Sequence, residues 1–400
     1  MLQSLALILI CGLTLGGIMQ KLKLPGLLGM IIAGMILGPY LLNLISPSVL
    51  DISIDLQEIA LIVILMRAGL ALDLKSLRKV GRPAILMSFI PATIEFLAIT
   101  ILAPIFLNIS LIESAILGAV LASVSPAVLV PRMLKFMENG YDKKAIPQML
   151  MTSASVNGIY VIVLFTAFLG MYSGNGFNAI SFVNIPISIV TGVILGAIVG
   201  FALILVFKKI HMRDTVKALI LFAAGFGFVT LESVIGSYVP MSGLIAVVAL
   251  GMIILRKYEI LAKRLSVKFS KIWVGAEIFL FVLIGAAVDV RHIQNVGLPA
   301  VAVILSAVVI RMLSVFLCLF KTELNIKEKL FCTIAYLPKA TIQAAIGGIP
   351  LAMGVEAGNI ILSVSVLAIL ITAPLGALGM DLTYKSLQCE LTPNVVQKSR

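Results

Sequence analysis

The residues that could do chemistry in this sequence lie inside long apolar stretches, where ionisable side chains are rare. Glu95, Arg311 and Lys339 each interrupt such a stretch, and Lys339 directly follows Pro338. A charge in the middle of a bilayer is costly unless it is paired or hydrated, so each one marks an ion pathway or a structural ion pair. Desolvation favours the neutral form of an ammonium group, which suits a lysine that loses its proton when a cation arrives. The pattern predicts ion binding coupled to proton transfer.

Small polar residues interrupt two other apolar stretches. The segment 123–131 (SVSPAVLVP) contains two prolines, and the backbone groups that they free must be satisfied by protein or by a water-lined cavity. This predicts a helix broken at Pro126, with Ser125 at a binding site, although a structural proline kink is the alternative. In the next stretch, about twelve residues at ~1.5 Å each bring Asn157 to a depth of ~18 Å.

The stretch that contains Asn157 offers only neutral ligands. It supplies Thr152, Ser155 and Asn157, followed by Gly158. Neutral oxygens can complete the ligand shell of a cation, but they do not exchange a proton near pH 7. Any proton exchange is therefore expected to depend on another residue.

The composition indicates a polytopic membrane protein. Hydrophobic residues make up 61% of the 400 residues and charged residues 12%, whereas soluble globular proteins have about 25% charged residues. The net charge of +12 would suggest nucleic-acid binding in a soluble protein. The four cysteines are scattered without metal-ligand spacing, and no nucleophile–base set stands out. We therefore expect neither an enzyme nor a bound cofactor or structural metal.

Thirteen membrane spans are predicted from the apolar runs. They cover residues 2–20, 27–44, 56–72, 83–106, 112–133, 146–171, 182–207, 216–235, 241–255, 272–288, 299–320, 328–353 and 359–380. Of the 30 Lys and Arg residues, 26 follow odd-numbered spans, and Arg291 alone falls on the other side. The positive-inside rule places the N-terminus outside and the C-terminus in the cytoplasm, and we expect a plasma membrane location. The basic excess thus reflects topology and not nucleic-acid binding.

An internal repeat relates the two halves of the chain. The segments 69–73 (GLALD) and 80–84 (VGRPA) recur as 285–289 (GAAVD) and 296–300 (VGLPA), at an offset of 216 residues. The copies lie seven spans apart, so they have opposite orientations in the membrane. After a four-residue adjustment, Pro126 corresponds to Pro338. Inverted repeats with paired broken helices are typical of secondary transporters with a site at the membrane midplane.

The same offset pairs Glu95 with Arg311. Equivalent positions on symmetry-related helices can approach each other near the pseudo-twofold axis, so we expect a buried ion pair. A pair that only holds the two repeats together is the alternative, because buried ion pairs often specify an arrangement and not chemistry. For Lys339 we expect a functional role, with simple filling of a helix gap as the alternative.

Four motifs resemble those of a known transporter family. The segment 24–39 (LPGLLGMIIAGMILGP) resembles the second-helix motif of cation:proton antiporters. The segments 67–73 (RAGLALD), 123–131 and 337–345 (LPKATIQAA) are similar to those of NHA-type sodium/proton exchangers. The resemblance covers essentially the whole chain. It implies an all-α membrane protein with inverted repeats, in which two broken helices cross at the ion site.

The resemblance also implies how such a chain is divided. It implies a homodimer in the lipid bilayer, in which each protomer has a dimerisation part and a moving, ion-translocating core. The dimerisation part corresponds to residues of about 1–55 and 182–255, and the core to about 56–171 and 272–380.

The family's site residues can be placed on this chain. The helix-gap lysine corresponds to Lys339, and the intramembrane glutamate and arginine correspond to Glu95 and Arg311. Where the exchangers carry two adjacent aspartates that bind the sodium ion and the exchanged proton, this chain has Asn157-Gly158. The fold expectation is unaffected, but the coupling chemistry must differ.

Three functions follow from these observations. The first is a Na⁺, Li⁺ or K⁺:proton antiporter with an altered site, in which Lys339 carries the proton and Asn157, Ser125 and Ser155 are neutral ligands. The second is a small-anion transporter, because Lys339 leaves the site positive and helix N-termini attract anions. The third is a transport-inactive relative that serves as a sensor or partner subunit.

Overall fold

The computed structural model describes residues 1–71, 81–138, 143–173, 179–235 and 239–389, which form helices and no strands. Asp73 of the first repeat copy lies outside these residues. The helices are α1 (Leu2–Lys21), α2 (Gly26–Leu37), α3 (Pro47–Leu50), α4 (Ser53–Ala71), α5 (Arg82–Leu107), α6 (Leu111–Leu121), α7 (Pro126–Glu138), α8 (Ile146–Ser173), α9 (Ala179–Lys209), α10 (Asp214–Ile235), α11 (Gly243–Lys257), α12 (Glu259–Ala287), α13 (Val290–Cys318), α14 (Ile326–Ala335), α15 (Thr341–Gly347), α16 (Ile349–Ala352) and α17 (Gly358–Cys389). A short 3₁₀ helix, Lys143–Ala145, precedes α8.

Each predicted span coincides with a helix or with an interrupted helix. Nine segments of the described chain are long and apolar enough to cross a membrane, so this is a multi-pass membrane protein, while the count of thirteen spans stays a prediction. Two boundaries differ from the predicted ones. α2 ends at Leu37 and not at residue 44, because Gly38 and Pro39 follow in extended or turn conformation. α12 begins at Glu259, well before residue 272, because the polar stretch that precedes the apolar run is also helical and forms one continuous helix with it.

Predicted spans 5 and 12 are both interrupted helices. α6 ends at Leu121 and α7 begins at Pro126, while α14 ends at Ala335 and α15 begins at Thr341. Proline suits the first position of α7, since the N–H group that it lacks would have no partner within the helix there. Each interruption leaves a short stretch of non-helical backbone inside the protein, and such backbone is tolerated at membrane depth only when protein or water satisfies it.

The helices pack in two groups. One group, which we call the scaffold, contains α1, α2, α4 and α9 to α12; the other, the core bundle, contains α5 to α8 and α13 to α17. α15 of the core bundle also contacts α4 and α12 of the scaffold. Residues 56–71 and 272–287 pack with the scaffold, because α4 packs along α11 and α12, and α12 packs along α2. The predicted division, which placed residues 56–72 and 272–288 in the moving core, stays a prediction.

The glycine that opens each copy of the repeat has the same role in both halves. A Cβ atom added at Gly69 of α4 would lie 2.4 Å from the carbonyl oxygen of Val248 on α11. A Cβ atom added at Gly285 of α12 would lie 2.2 Å from the carbonyl oxygen of Ile31 on α2. Small residues let membrane helices approach each other closely, so each of these glycines allows a close backbone contact within the scaffold.

Candidate ion site at the crossing of two interrupted helices

The two interruptions meet inside the core bundle. The backbone N–H of Ser125, in the first interruption, donates to the carbonyl oxygen of Pro338, in the second, at 2.8 Å. The Gln343 side chain donates to the Ser123 carbonyl at 2.8 Å and accepts from the Ala340 N–H at 2.8 Å. The freed backbone groups are thus satisfied across the crossing, which holds the two breaks against each other.

Three charged side chains converge at this crossing. The Lys339 ammonium lies 2.6 Å from Oε1 of Glu95, and Nη1 of Arg311 donates to Oε2 of the same carboxylate. The exposed fraction of each side chain is 1% or less. Glu95 therefore has two cationic partners, one on each oxygen, and the group of three carries one excess positive charge.

Backbone carbonyls at the C-terminal end of α6 accept hydrogen bonds from the same two cationic side chains. Nη1 of Arg311 donates to the Ala122 carbonyl at 2.7 Å, and the Lys339 ammonium donates to the Leu121 carbonyl. Nε of Arg311 donates to the Tyr336 carbonyl at 2.9 Å. The C-terminal end of a helix carries a partial negative charge, so α6 offsets part of the excess positive charge.

Asn157 holds the first interruption in place. Its Oδ1 accepts from the Val124 N–H at 3.0 Å, and its Nδ2 donates to the Ser88 carbonyl at 3.1 Å. The side chain is fully buried. Both polar ends are therefore engaged with backbone groups, so Asn157 is a structural link between α8, α5 and the break in span 5.

Gly158 faces the second interrupted helix. A Cβ atom added there would lie 2.6 Å from Cδ1 of Ile342 and 4.0 Å from Oγ of Ser123. The close atom is the end of a flexible side chain. A larger residue at this position would therefore point into the crossing and could be accommodated by a rotation of Ile342.

The remaining predicted ligands differ in how free their oxygens are. Ser125 Oγ is buried and has no hydrogen-bond partner within the described ranges. Ser155 Oγ donates to the Met151 carbonyl of its own helix at 2.9 Å, and Thr152 is half-buried on the same helix. The structure thus brings Ser125 to the crossing with a free hydroxyl, whereas Ser155 is engaged within α8.

Some residues of the site were not predicted as site residues. Thr341 begins α15, and its Oγ1 is buried without a partner in the described part of the chain. Thr372 accepts from the Lys339 N–H at 3.0 Å. Thr341 could have been predicted from the sequence, because it is one of the polar residues of the motif 337–345. The contact between Lys339 and Glu95 could not, because the two residues lie far apart in sequence.

Two glutamates that begin the interrupted helices link the two repeats. Glu113 completes a capping box at the start of α6 and accepts from the Ala357 N–H, just before α17, at 2.8 Å. Glu328 completes the corresponding box at the start of α14 and lies 2.8 Å from the Lys144 ammonium, just before α8. Each N-terminal cap thus also fixes the start of a helix from the other repeat.

A family profile and two related proteins point to one family. The sequence profile of the family described as "Sodium/hydrogen exchanger, transmembrane" matches residues 5–381. The Mus musculus sodium/hydrogen exchanger 9B2 is 34% identical, and the match covers 97% of this chain and 73% of the mouse protein. The Homo sapiens sodium/hydrogen exchanger 9B1 is 32% identical, with 90% of this chain and 72% of the human protein covered.

Solved structures show the same architecture. The sodium proton antiporter MjNhaP1 from Methanocaldococcus jannaschii, solved at pH 8, superposes with a TM-score of 0.82 and 21% sequence identity. The match covers 96% of this chain and 97% of that structure. The likeness confirms the predicted all-α membrane fold.

Proposed function

Because this chain belongs to the sodium/hydrogen exchanger family, as its motifs predicted, we propose that it is a transporter that exchanges Na⁺, Li⁺ or K⁺ for protons. The observation that carries the proposal is the contact between the Lys339 ammonium and Glu95 at the helix crossing. It brings a proton donor and a carboxylate together beside Asn157-Gly158, where the family resemblance places two aspartates. Glu95 takes over the negative charge that position 157 lacks.

Lys339 is the proton carrier in this proposal. In the described arrangement its ammonium binds Oε1 of Glu95 at 2.6 Å. A cation that reaches this oxygen repels the ammonium and competes with it for the carboxylate. When Lys339 then releases its proton, a neutral amine and a bound cation replace the ammonium, and the net charge of the site is unchanged. Entry of a cation is in this way linked to the departure of a proton.

Neutral oxygens complete the proposed cation site. Ser125 Oγ and Thr341 Oγ1 are buried without partners among the described residues, so both can turn toward a cation without breaking a hydrogen bond. The Leu121 carbonyl becomes available when Lys339 withdraws. Asn157 Oδ1 accepts one hydrogen bond and Ser155 Oγ donates one, so each keeps a lone pair for a cation but is less free to reorient than Ser125. Both therefore rank behind Ser125, Gly158 borders the crossing, and Thr152 stays a predicted ligand.

A small-anion transporter is the second candidate function. One observation favours it: Nη2 of Arg311 is buried without a hydrogen-bond partner among the described residues. With Lys339 protonated, the crossing carries one excess positive charge. An anion bound there would neutralise that charge, whereas a cation requires the loss of a proton first.

The membrane arrangement belongs to the same proposal. We place the protein in a plasma membrane, with the N-terminus outside and the C-terminus in the cytoplasm, because the basic loops follow odd-numbered spans.

The scaffold is the proposed dimerisation part of a homodimer, and the core bundle is the part that moves. Alternating access then consists of a displacement of the core bundle along α4 and α12, against which α15 packs.

The test is proton flux in proteoliposomes under imposed Na⁺, Li⁺ or K⁺ gradients. The unaltered protein and the double variant Asn157→Asp with Gly158→Asp are compared. An aspartate at 158 needs only a shift of the end of the Ile342 side chain, whereas an aspartate at 157 loses the hydrogen bond to the Ser88 carbonyl, so the melting temperature of the double variant is measured alongside the flux. Cation-dependent proton flux in the unaltered protein supports the proposal.

Two outcomes contradict it. Silence of the unaltered protein together with flux in the double variant would identify an antiporter scaffold that now serves another purpose, such as sensing. Flux that follows a chloride or acetate gradient and ignores the cation would identify the anion transporter instead.

A further inference from the structure

A polar pocket lies in the scaffold, away from the helix crossing. It forms where α9 ends, α10 begins and α12 passes, and its cavity has a volume of about 610 Å³. The charged side chains that line it are Lys208, Arg213, Asp214, Lys217, Arg264 and Lys268. Five basic groups thus surround one carboxylate.

The single carboxylate neutralises only one of the basic groups. Oδ2 of Asp214 lies 3.1 Å from Nε of Arg264. Lys208 lies over the ring of Tyr258, with its ammonium 5.6 Å from the ring centre. Within the described ranges, the side chains of Arg213 and Lys268 have neither an ion pair nor a hydrogen bond. Like charges around one cavity repel each other, and a bound anion would remove that repulsion.

Lys217 is the most informative of these residues. Its exposed fraction is 6%, and its ammonium has no hydrogen bond or ion pair to any described residue. Its ammonium lies 5.6 Å from the centre of the Phe207 ring, which is a weak substitute for an anion. Most of the Lys217 side chain is buried, whereas its ammonium remains accessible from the pocket, so an anion in the pocket can reach a cation that has no counter-charge.

The start of α10 adds to the attraction. This helix runs over Asp214–Ile235, and its N-terminus lies at the pocket. The first N–H groups of a helix have no partner within it, and the N-terminal end carries a partial positive charge. Helix N-termini therefore bind phosphate groups readily.

The pocket also lies at the edge of the apolar surface. Leu205 and Ile210, on either side of Lys208, are more than half exposed, with exposed fractions of 56% and 52%. In a membrane protein such residues face lipid, so the basic groups lie at the level of the lipid headgroups.

We propose that this pocket binds a ligand through a phosphate group. The phosphate contacts Lys217 and the start of α10, and Arg213 and Lys268 neutralise its remaining charge. Several cations around one cavity suit phosphate, which has more than one charge and several acceptor oxygens. A lipid headgroup and a soluble organic phosphate share this chemistry, and the experiment separates them.

The experiment measures the melting temperature of the full chain in phosphatidylcholine nanodiscs. Pyrophosphate is the soluble probe, and partial replacement of phosphatidylcholine by phosphatidylglycerol is the lipid probe. At least one of them should raise the melting temperature of the unaltered protein, because a ligand that binds only the folded state stabilises it. A response to pyrophosphate alone supports a soluble phosphate ligand, and a response to phosphatidylglycerol alone supports a lipid headgroup.

The decisive variant is Lys217→Met, which keeps the unbranched apolar stem of the side chain and removes the charged end. Without a probe it should melt at the same temperature as the unaltered protein or at a higher one, because one of the five mutually repelling basic groups around the cavity is gone. Its affinity for the effective probe should fall about tenfold, as expected for the loss of one charge-assisted hydrogen bond. Lys263→Met is the matched control on α12, since Lys263 is 73% exposed and paired with Glu259 at 2.7 Å. It should respond as the unaltered protein does.

Three results would overturn the proposal. One is no response of the unaltered protein to either probe. Another is an equal response in Lys217→Met and Lys263→Met, which would indicate non-specific surface charge. The third is a lower melting temperature of Lys217→Met with an unchanged probe response, which a purely structural lysine predicts. If Lys217→Met does not fold, Arg213→Gln with Lys268→Gln replaces it and should also weaken the response.

Discussion

Glu95 has two cationic partners, and they are not equivalent. Arg311 is held by three further constraints: the carbonyls of Ala122 and Tyr336, and the Tyr336 ring 5.5 Å from its guanidinium carbon. Lys339 reaches Glu95 at the end of a flexible side chain from an interruption in a helix. Lys339 can therefore leave while Arg311 stays, and Glu95 is never an unpaired buried charge. This difference fits the proposed mechanism, in which Arg311 positions Glu95 and Lys339 exchanges the proton.

Replacing each partner separately should have different results. Lys339→Ala should reduce cation-driven proton flux to background while the protein still folds, because Glu95 keeps Arg311. Arg311→Ala should lower stability by about 3–5 kcal/mol, as expected when one member of a buried ion pair is removed. Flux in proteoliposomes and thermal melting in detergent measure the two effects, with the exposed Lys263→Ala as the control. Full coupling in Lys339→Ala would exclude this lysine as the proton carrier.

At the scale of helices, the two repeats share the same stabilising features. Each interrupted helix starts with a glutamate capping box, and each repeat motif starts with a glycine against which a neighbouring backbone packs. In lipid there is little hydrophobic force between helices, so such close contacts and hydrogen bonds determine which helices pair. The glycines hold the scaffold together, and the caps hold the core bundle together.

The glycine contacts can be tested on a single helix. Gly285→Ala places a Cβ atom 2.2 Å from the Ile31 carbonyl, so the two backbones must separate. We expect a loss of about 1–3 kcal/mol, typical of overpacking. Gly275→Ala on the same helix meets no atom within 4 Å, and it should be neutral or stabilising by up to about 1 kcal/mol through helix propensity. Thermal melting in detergent compares the stabilities of the two variants, and equal melting temperatures would refute the close contact at Gly285.

At the scale of the whole molecule, the core bundle and the scaffold share only limited contacts, chiefly through α15 and through α9 against α8. The proposed ion site lies within the core bundle, at the crossing that includes the start of α15. A displacement of the core bundle along the scaffold would therefore move the site as one unit. It would leave the hydrogen bonds around Glu95 intact.

A cross-link between the core bundle and the scaffold should stop the displacement of one along the other. A Cβ atom at Gly348, beside α15, would lie 3.0 Å from Oε1 of Gln57 on α4. Gln57→Cys combined with Gly348→Cys, joined by a short reducible cross-linker, should abolish cation-driven proton flux. Reduction should restore the flux, and each single variant should be unaffected by the reagent. Undiminished flux in the cross-linked protein would show that the core bundle does not move against α4.

The sequence by itself determined the membrane class, the helices and the two interruptions. Apolar length requires membrane helices, and Pro126 and Pro338 prevent two of them from continuing. The repeat also indicated that Glu95 and Arg311 are equivalent positions, since inverted symmetry is visible as an offset. These features are local or periodic, so they can be read along the chain.

Only the tertiary structure decided which groups meet. Hydrophobic periodicity shows which face of a soluble helix is buried, but membrane helices are apolar on every side, so the pattern does not identify their neighbours. For this reason only the packing shows that α4 and α12 lie with the scaffold helices. The contact of Lys339 with Glu95 joins residues 244 positions apart, and Asn157 is engaged by backbone groups of two other segments. Long side chains in helix gaps have several partners within reach, and packing selects one of them.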